Sequence, residues 1–276
     1  MKKGLVSLRT RVSDLYGLGG AFEQFIHDLD EEISIQEGIL IDVSEARVSW
    51  KAFYIKCILF AEQEEPIVST VGLPEALKVR VITKGPPVLY FVLKPFQRLL
   101  HRHLATYYQF ELTKGPVTEE IVNQRWKKFI NYKFLSGDYK SATDELHSWC
   151  SEYALEGVMR ALQENSGQDL SLIKRLIKKS LTGHLYQDKK TKSLSPQKRG
   201  QLMGSIMSFP FLCIANFALI KMSLEFGENG GKSLRVQETH CWINGDDCVI
   251  PYKKDFYHFW KRLGDVFGLS ESIGKT

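Results

Sequence analysis

Between Glu238 and Tyr252 the chain reads Glu-Thr-His-Cys-Trp-Ile-Asn-Gly-Asp-Asp-Cys-Val-Ile-Pro-Tyr, two apolar runs broken by Asn244-Gly245-Asp246-Asp247. An Asn-Gly pair between apolar runs is a strong hairpin signal, because both residues tolerate positive φ. The segment is therefore expected to form strand, tight turn, strand, with two adjacent carboxylates at the tip. Successive side chains on a strand point to opposite faces, so Asp246 and Asp247 cannot both aim the same way. One carboxylate at the tip with a second just behind it suits a hard divalent cation. Taken alone, the tetrapeptide is equally well explained as a polar turn, since Gly and Asp form turns anyway. The rest of the chain has to decide.

At 276 residues there is enough chain for one large domain or two subdomains with ample core. Apolar residues make up 43% and charged residues 25%, an ordinary globular composition that argues against a disordered or fibrous chain. A net charge of +5 and a pI near 8.8 permit a nucleic-acid partner without requiring one. Cys57, Cys150, Cys213, Cys241 and Cys248 are odd in number and lack paired zinc spacing, so reduced thiols in a cytosol-like compartment are expected. The first residues do not resemble a secretory signal. The longest apolar run, Phe209 to Ile220, holds Pro210 and Asn216 and is too short to span a bilayer, so no membrane-spanning segment is expected. The last residues stop abruptly after a helical pattern, which reads as a piece of something longer.

Lys78-Val-Arg-Val-Ile-Thr-Lys84 alternates basic and apolar side chains and breaks at Gly85-Pro86-Pro87, the pattern of a strand with cations on one face. Phe91 to Phe110 reads as helix. His101 and His103, two apart, fall on different faces of it and favour a structural role over metal binding. Tyr132 to Leu135 reads as a short strand ended by Ser136-Gly137-Asp138. A helix is expected next, from the spacing of Leu146, Trp149, Cys150, Tyr153 and Val158, opened by a Ser141 to Asp144 capping box. Residues 174–199 hold nine basic side chains against one acid, Asp188. A small-residue loop follows from Gly200 to Ser208, then a helix opened by Pro210. After the hairpin, Phe256, Phe259, Trp260, Leu263 and Phe267 mark a last amphipathic helix. From residue 132 the order is strand, helix, loop, helix, hairpin, helix, which suits an α+β layer with helices on one face of a largely antiparallel sheet.

These segments, taken in order, resemble viral RNA-dependent RNA polymerases of the ourmia-like, narna-like and levi-like lineage of positive-strand RNA viruses. Residues 136–146 resemble polymerase motif A, 200–216 motif B, Asn244 to Asp247 motif C, Lys78 to Lys84 motif F, and 268–275 the end of motif D. A lone Gly-Asp-Asp is weak evidence; five motifs in the right order across residues 78–275 are strong.

The resemblance implies an α+β right-hand polymerase, with fingers over residues 1–130 and palm over 131–276. A basic finger-like insertion would cover about 166–199, and the antiparallel palm sheet would be backed by helices. The family continues into a primer-gripping hairpin and a thumb, and neither is found here. Asp138 and Asp246 would be the principal Mg²⁺ ligands with Asp247 assisting, two ions in all and Mn²⁺ a possible substitute. Lys275 would protonate the pyrophosphate leaving group. Lys78, Arg80 and Lys84 would contact the NTP triphosphate, arginine as a planar fork and lysine as a point charge. Asp144 would sit by the ribose 2′-hydroxyl, a group that both donates and accepts.

Gly204 and Ser208 would shape the loop beside template and nucleotide. Many polymerases carry a threonine four residues after this glycine and an asparagine four further on. This chain has Ser208 and Leu212 there, and Asn216 is the substitute candidate for the ribose, unless it packs within its helix. Ser205, Lys198 and Arg199 would lie along RNA template and product, although a solvated surface explains the basic stretch equally well. Host cytoplasm is the expected location, ahead of the mitochondrial matrix. Two rivals stay open: a reverse transcriptase with the same metal pair, and a truncated, catalytically incompetent RNA-binding remnant.

Overall fold

The computed structural model describes residues 43–76 and 78–272. These fall into two compact units, residues 43–65 with 86–92 and residues 66–85 with 93–272. In the first, helix α1 (Val43–Gln63) meets the opening turn of a helix that runs Pro87–Leu104. Pro87 suits that first turn because its fixed φ is already helical and it has no N–H to leave unpaired. The Glu64 carboxylate accepts from the Val88 and Leu89 amides at 3.4 and 2.7 Å, capping orphan donors at the positive end of the helix dipole. The helix expected over 91–110 therefore starts earlier, at the prolines read as a breaker. It ends at Leu104, and a 3₁₀ turn takes over at Tyr108–Thr113.

The second unit holds two sheets. Strands β1 (Ile67–Glu75) and β2 (Lys78–Lys84) form an antiparallel ribbon. Numbering Pro87–Leu104 as α2, the chain continues through α3 (Glu119–Trp126) to β3 (Lys133–Gly137) and a four-residue helix α4 (Ala142–Glu145). Helices α5 (Ser148–Ser166) and α6 (Ser171–Thr182) follow. Short strands β4 (Leu185–Gln187) and β5 (Leu194–Pro196) come next and extend the ribbon to the order β2-β1-β4-β5, β1 and β4 running parallel. The basic stretch is thus partly folded: α6 buries Leu176, Ile177 and Leu181 and leaves its lysines outward.

Helix α7 (Ser208–Gly227), strands β6 (Trp242–Asn244) and β7 (Asp247–Tyr252) and helix α8 (Phe256–Phe267) complete the unit. The second sheet is antiparallel throughout, in the order β3-β7-β6. Period-two alternation explains its core face. Leu135 pairs with Ile250, and Cys248 pairs with both Gly137 and Ile243, so all five share one side. That side packs on Leu212, Ala215 and Leu219 of α7 and on Phe256 and Trp260 of α8. Each buried Leu, Ile or Phe side chain among them contributes roughly 1.5–3 kcal/mol by leaving water. Gly137 permits the closest approach, since a Cβ there would lie 2.9 Å from Cys248 Sγ and 3.1 Å from the Trp260 ring.

Three local expectations change. Ser141 adopts φ +50 and its side chain caps nothing, so the capping box does not form and only a four-residue helix follows. Trp149 and Tyr153 are 41% and 73% exposed; the buried stripe of α5 runs through Cys150, Leu155 and Met159 instead. The apolar run at 209–220 belongs to a 20-residue helix, long and apolar enough by composition to cross a membrane. Here that helix is the core helix under the β3-β7-β6 sheet and buries Asn216 and Ser223. All five cysteines are free and buried.

Candidate active site

At the hairpin tip, Asn244 pairs with Asp247 across a two-residue loop, Gly245-Asp246. Gly245 takes φ +70 and Asp246 does not share the positive sign, the pattern of a type II′ turn. Asn244 is therefore the last strand residue and only Gly245 needs the left-handed region, unlike the Asn-Gly turn expected. Asp246 is half-buried within the turn, and Asp247, exposed, opens β7. The two carboxylates differ because one lies in a turn and the other in a strand, rather than by alternation along one strand.

Asp138 follows β3 directly and is half-buried. The β3–β7 ladder ends at Gly137↔Cys248, so one further step in register sets Asp138 opposite Asp247. Electrostatics agree with that placement. Burial pushes the Cys248 thiol up to about 12, and the charges of both Asp247 and Asp138 add to the effect. Burial likewise raises Cys213 to about 12, with Asp246 contributing, and the Gly245 amide donates to Cys213 Sγ at 3.3 Å. Such thiols stay protonated and pack as small hydrophobes. Among the described residues no group of three or more His, Cys, Asp or Glu side chains is gathered closely enough to hold a metal ion. The donor set still fits a hard cation, because carboxylate oxygens at neighbouring strand ends suit Mg²⁺, which keeps several waters and substrate phosphates in its shell.

Behind the carboxylates lies a buried polar chain. Trp260 Nε1 donates to the Tyr139 hydroxyl at 2.9 Å, and that hydroxyl donates to Asn216 Oδ1 at 2.7 Å. Asn216 Nδ2 in turn donates to the Gly245 and Asp246 carbonyls at 3.0 and 3.4 Å. Asn216 is fully buried, which differs from the expected ribose contact.

The 200–208 loop meets the β1–β2 ribbon. Thr83 donates to the Met203 carbonyl twice, from its amide at 2.7 Å and its hydroxyl at 2.8 Å. Gly204 sits at φ +112, and a Cβ there would lie 2.2 Å from the Thr83 carbonyl oxygen. Ser205 and Ser208 point inward. Ser205 donates to the Ser180 carbonyl, and Ser208 donates to Gln201 Oε1 at 3.3 Å. Both are nearly buried, so they brace the loop from behind. Gly200, at φ +80, packs against the Thr143 and Asp144 carbonyls.

Asp144 lies on α4, exposed, its carboxyl raised by partial desolvation and by Glu145. Glu145 pairs with Arg199 at 2.9 Å, tying the basic stretch to α4, while Lys198 is exposed. On β2, Arg80 pairs with Glu75 at 2.8 Å and Lys84 is exposed. Of Lys78 only the backbone is described, and Lys275 lies outside the described residues. Sequence reasoning did not find Thr83, Tyr139, Trp260 or Gln201. Each is an ordinary core or strand residue locally, and only its distant partner gives it a role.

No protein-family model matches the chain. Over 215 residues, 73% of this chain, it is 33% identical to the RNA-dependent RNA polymerase of Ourmia melon virus (isolate Melon/Iran/VE9). The chain spans about a quarter of that relative's length, 25%. Among solved structures it resembles a telomerase from Candida albicans, determined in complex with the TWJ fragment of telomeric RNA. The TM-score is 0.52 with 14% identity, covering 82% of this chain and 45% of that one, a likeness of fold alone. On its sequence kinship, with a mixed α/β fold built on an antiparallel sheet backed by helices, the chain belongs as a part-length homologue with the viral RNA-dependent RNA polymerases of the ourmia-like lineage.

Proposed function

We propose that this chain carries the nucleotidyl-transfer centre of a viral RNA-dependent RNA polymerase, its palm and part of its fingers, extending an RNA strand on an RNA template from NTPs. The observation that carries the reading is the register setting Asp138 beside the Asp246-Asp247 hairpin, in a chain one-third identical to such a polymerase. Asp138, Asp246 and Asp247 would hold Mg²⁺, with Mn²⁺ a possible substitute. Two such ions supply Lewis acidity to the attacking and leaving oxygens when bound.

The remaining roles belong to the chain's own groups. Lys84 and Arg80, with Lys78 preceding them on β2, neutralise the triphosphate, and Arg80 exchanges its Glu75 partner for phosphate oxygens as it does so. Asp144 accepts from the ribose 2′-hydroxyl. Thr83 and Gly204 hold the 200–208 loop against the ribbon, with Ser205 and Ser208 bracing it from within. Lys198 and Arg199 line the path of template and product strand. Lys275 is assigned the proton delivered to pyrophosphate. Host cytoplasm is the compartment consistent with five unpaired thiols.

The test is template-directed incorporation of labelled NTP, with Asp246→Ala as control. Equal incorporation by both proteins sinks the assignment. A preference for dNTP over NTP would move the chain to the reverse transcriptases. Salt-sensitive RNA binding with no incorporation would leave an RNA-binding remnant.

A further inference from the structure

Each carboxylate segment leaves the β3–β7 ladder just before the residue that matters. The last paired position is Gly137↔Cys248, so Asp138 lies one step past the β3–β7 ladder, while Gly245 and Asp246 form the loop between β6 and β7. The Asn244↔Asp247 pair closes the turn and the Gly245 amide donates to Cys213 Sγ, but neither contact reaches the segment after Asp138. A carbonyl pair such as those of Gly245 and Asp246 would also be orphaned if buried without a donor.

We infer that Asn216 is a positioning residue: with Tyr139 and Trp260 it forms a buried strut that holds the Gly245-Asp246 turn at a set distance from Asp138. The deduction rests on the reading of Asp138, Asp246 and Asp247 as metal ligands, and on the capacity of one amide. Asn216 offers two N–H donors and one carbonyl acceptor. Its donors go to the Gly245 and Asp246 carbonyls, and its acceptor takes the Tyr139 hydroxyl. No donor is left for a nucleotide, and no surface either, since Asn216 is 0% exposed.

Tyr139 immediately follows Asp138, so the strut ties the segment after one carboxylate to the turn that carries Asp246 and runs into Asp247. Trp260 Nε1 fixes the hydroxyl's direction. The hydroxyl's one proton goes to Asn216 Oδ1, an amide oxygen that can only accept. Dipoles aligned in a chain of this kind strengthen one another in a dry interior. An aspartate at 216 would keep the shape but face two carbonyls with acceptors only. Phenylalanine at 139 would keep the ring packing and leave two buried polar groups unpaired.

Two readouts separate this role from ribose recognition. Mn²⁺ binding by the whole chain is measured by electron paramagnetic resonance for the wild type, Asp138→Ala, Asn216→Asp and Tyr139→Phe, with circular dichroism as a check on folding. NTP-over-dNTP preference is measured on the same proteins. The strut predicts Mn²⁺ binding weakened about tenfold in both Asn216→Asp and Tyr139→Phe, in the range typical of residues that orient metal ligands, with nucleotide preference unchanged. Wild-type affinity in a folded Asn216→Asp or Tyr139→Phe, while Asp138→Ala loses binding, overturns the strut. So does a changed NTP-over-dNTP ratio, which returns Asn216 to the ribose. If wild type and Asp138→Ala bind alike, the underlying metal-site reading has failed instead.

Discussion

The β3-β7-β6 sheet and the β1–β2 ribbon are both antiparallel, both lie in the same compact unit, and both carry residues assigned to substrate. Their surroundings differ sharply. In the sheet Ile243 and Ile250 are fully buried and Cys248 is 2% exposed, and the turn beyond is pinned by a buried amide. In the ribbon Val79 and Val81 are 66% and 59% exposed, and Arg80 is held at the surface by Glu75 and a 4.0 Å contact to Met203 Sδ. The contrast matches the roles proposed for each. Carboxylates that share a cation have to be set within about half an ångström, and only a packed, hydrogen-bonded scaffold achieves that. A cation that neutralises phosphate acts over longer range and gains from being able to swing. Besides the pairing of β1 with β4, the ribbon is tied where Thr83 grips Met203, in the loop expected to lie beside the template.

Breaking the sheet side should have the largest effect. Asp138→Asn keeps the shape and removes the charge, and incorporation should fall by at least about 10³-fold, some 4 kcal/mol in the transition state. Single-turnover rates would read it, and near-normal turnover would show that the sheet is not the reacting centre. Next comes the junction of the two regions. Gly204→Ala places a Cβ against the Thr83 carbonyl, a backbone atom that cannot step aside, at a φ that L residues rarely adopt. A loss of about 2–3 kcal/mol in urea unfolding is expected, with activity falling more than tenfold; an unshifted midpoint would mean the loop re-forms elsewhere.

The ribbon should behave differently. Arg80→Ala removes an exposed ion pair worth at most about 1 kcal/mol, so stability should barely change. KM for NTP should rise about tenfold with kcat kept, and a matched fall in kcat would put Arg80 in the transition state rather than in binding. The smallest effect is expected at Asp144. Its folded pKa is raised, so the charged form is the disfavoured one and the fold gains stability as pH falls through that value. Asp144→Asn should therefore be slightly stabilising at neutral pH, and the difference should vanish in acid, below the ordinary carboxylate value of 3.8. Thermal melts at the two pH values measure it; a destabilised variant at neutral pH would reverse the sign.

Much of the scaffold was legible along the chain. The strand before Asp138, the hairpin around Gly245 and the amphipathic helix from Phe256 all rest on local periodicity and turn chemistry, which act over a few residues. Where competing local signals met, the reading slipped. Ser141 looked like a helix cap, but its backbone turned left-handed. Pro87 looked like a stop and was a start, because Glu64 supplied the cap from another element. Trp149 and Tyr153 kept helical spacing but face outward. Thr83 carries no unusual local pattern at all, and its partner lies 120 positions away.

By itself the sequence determined which groups are present and in what order. It marked three carboxylates beside turns, a strand with alternating cations, a small-residue loop, and the apolar patterns that bury one face of a sheet. Those are matters of local stereochemistry and of the free energy of leaving water. Only the tertiary structure decided that Asn216 lies inside, that Asp246 belongs to the turn and Asp247 to the strand, and that Gly204 must be glycine. Each of these depends on a hydrogen bond or a close approach between segments far apart in the chain, and no local pattern encodes that distance.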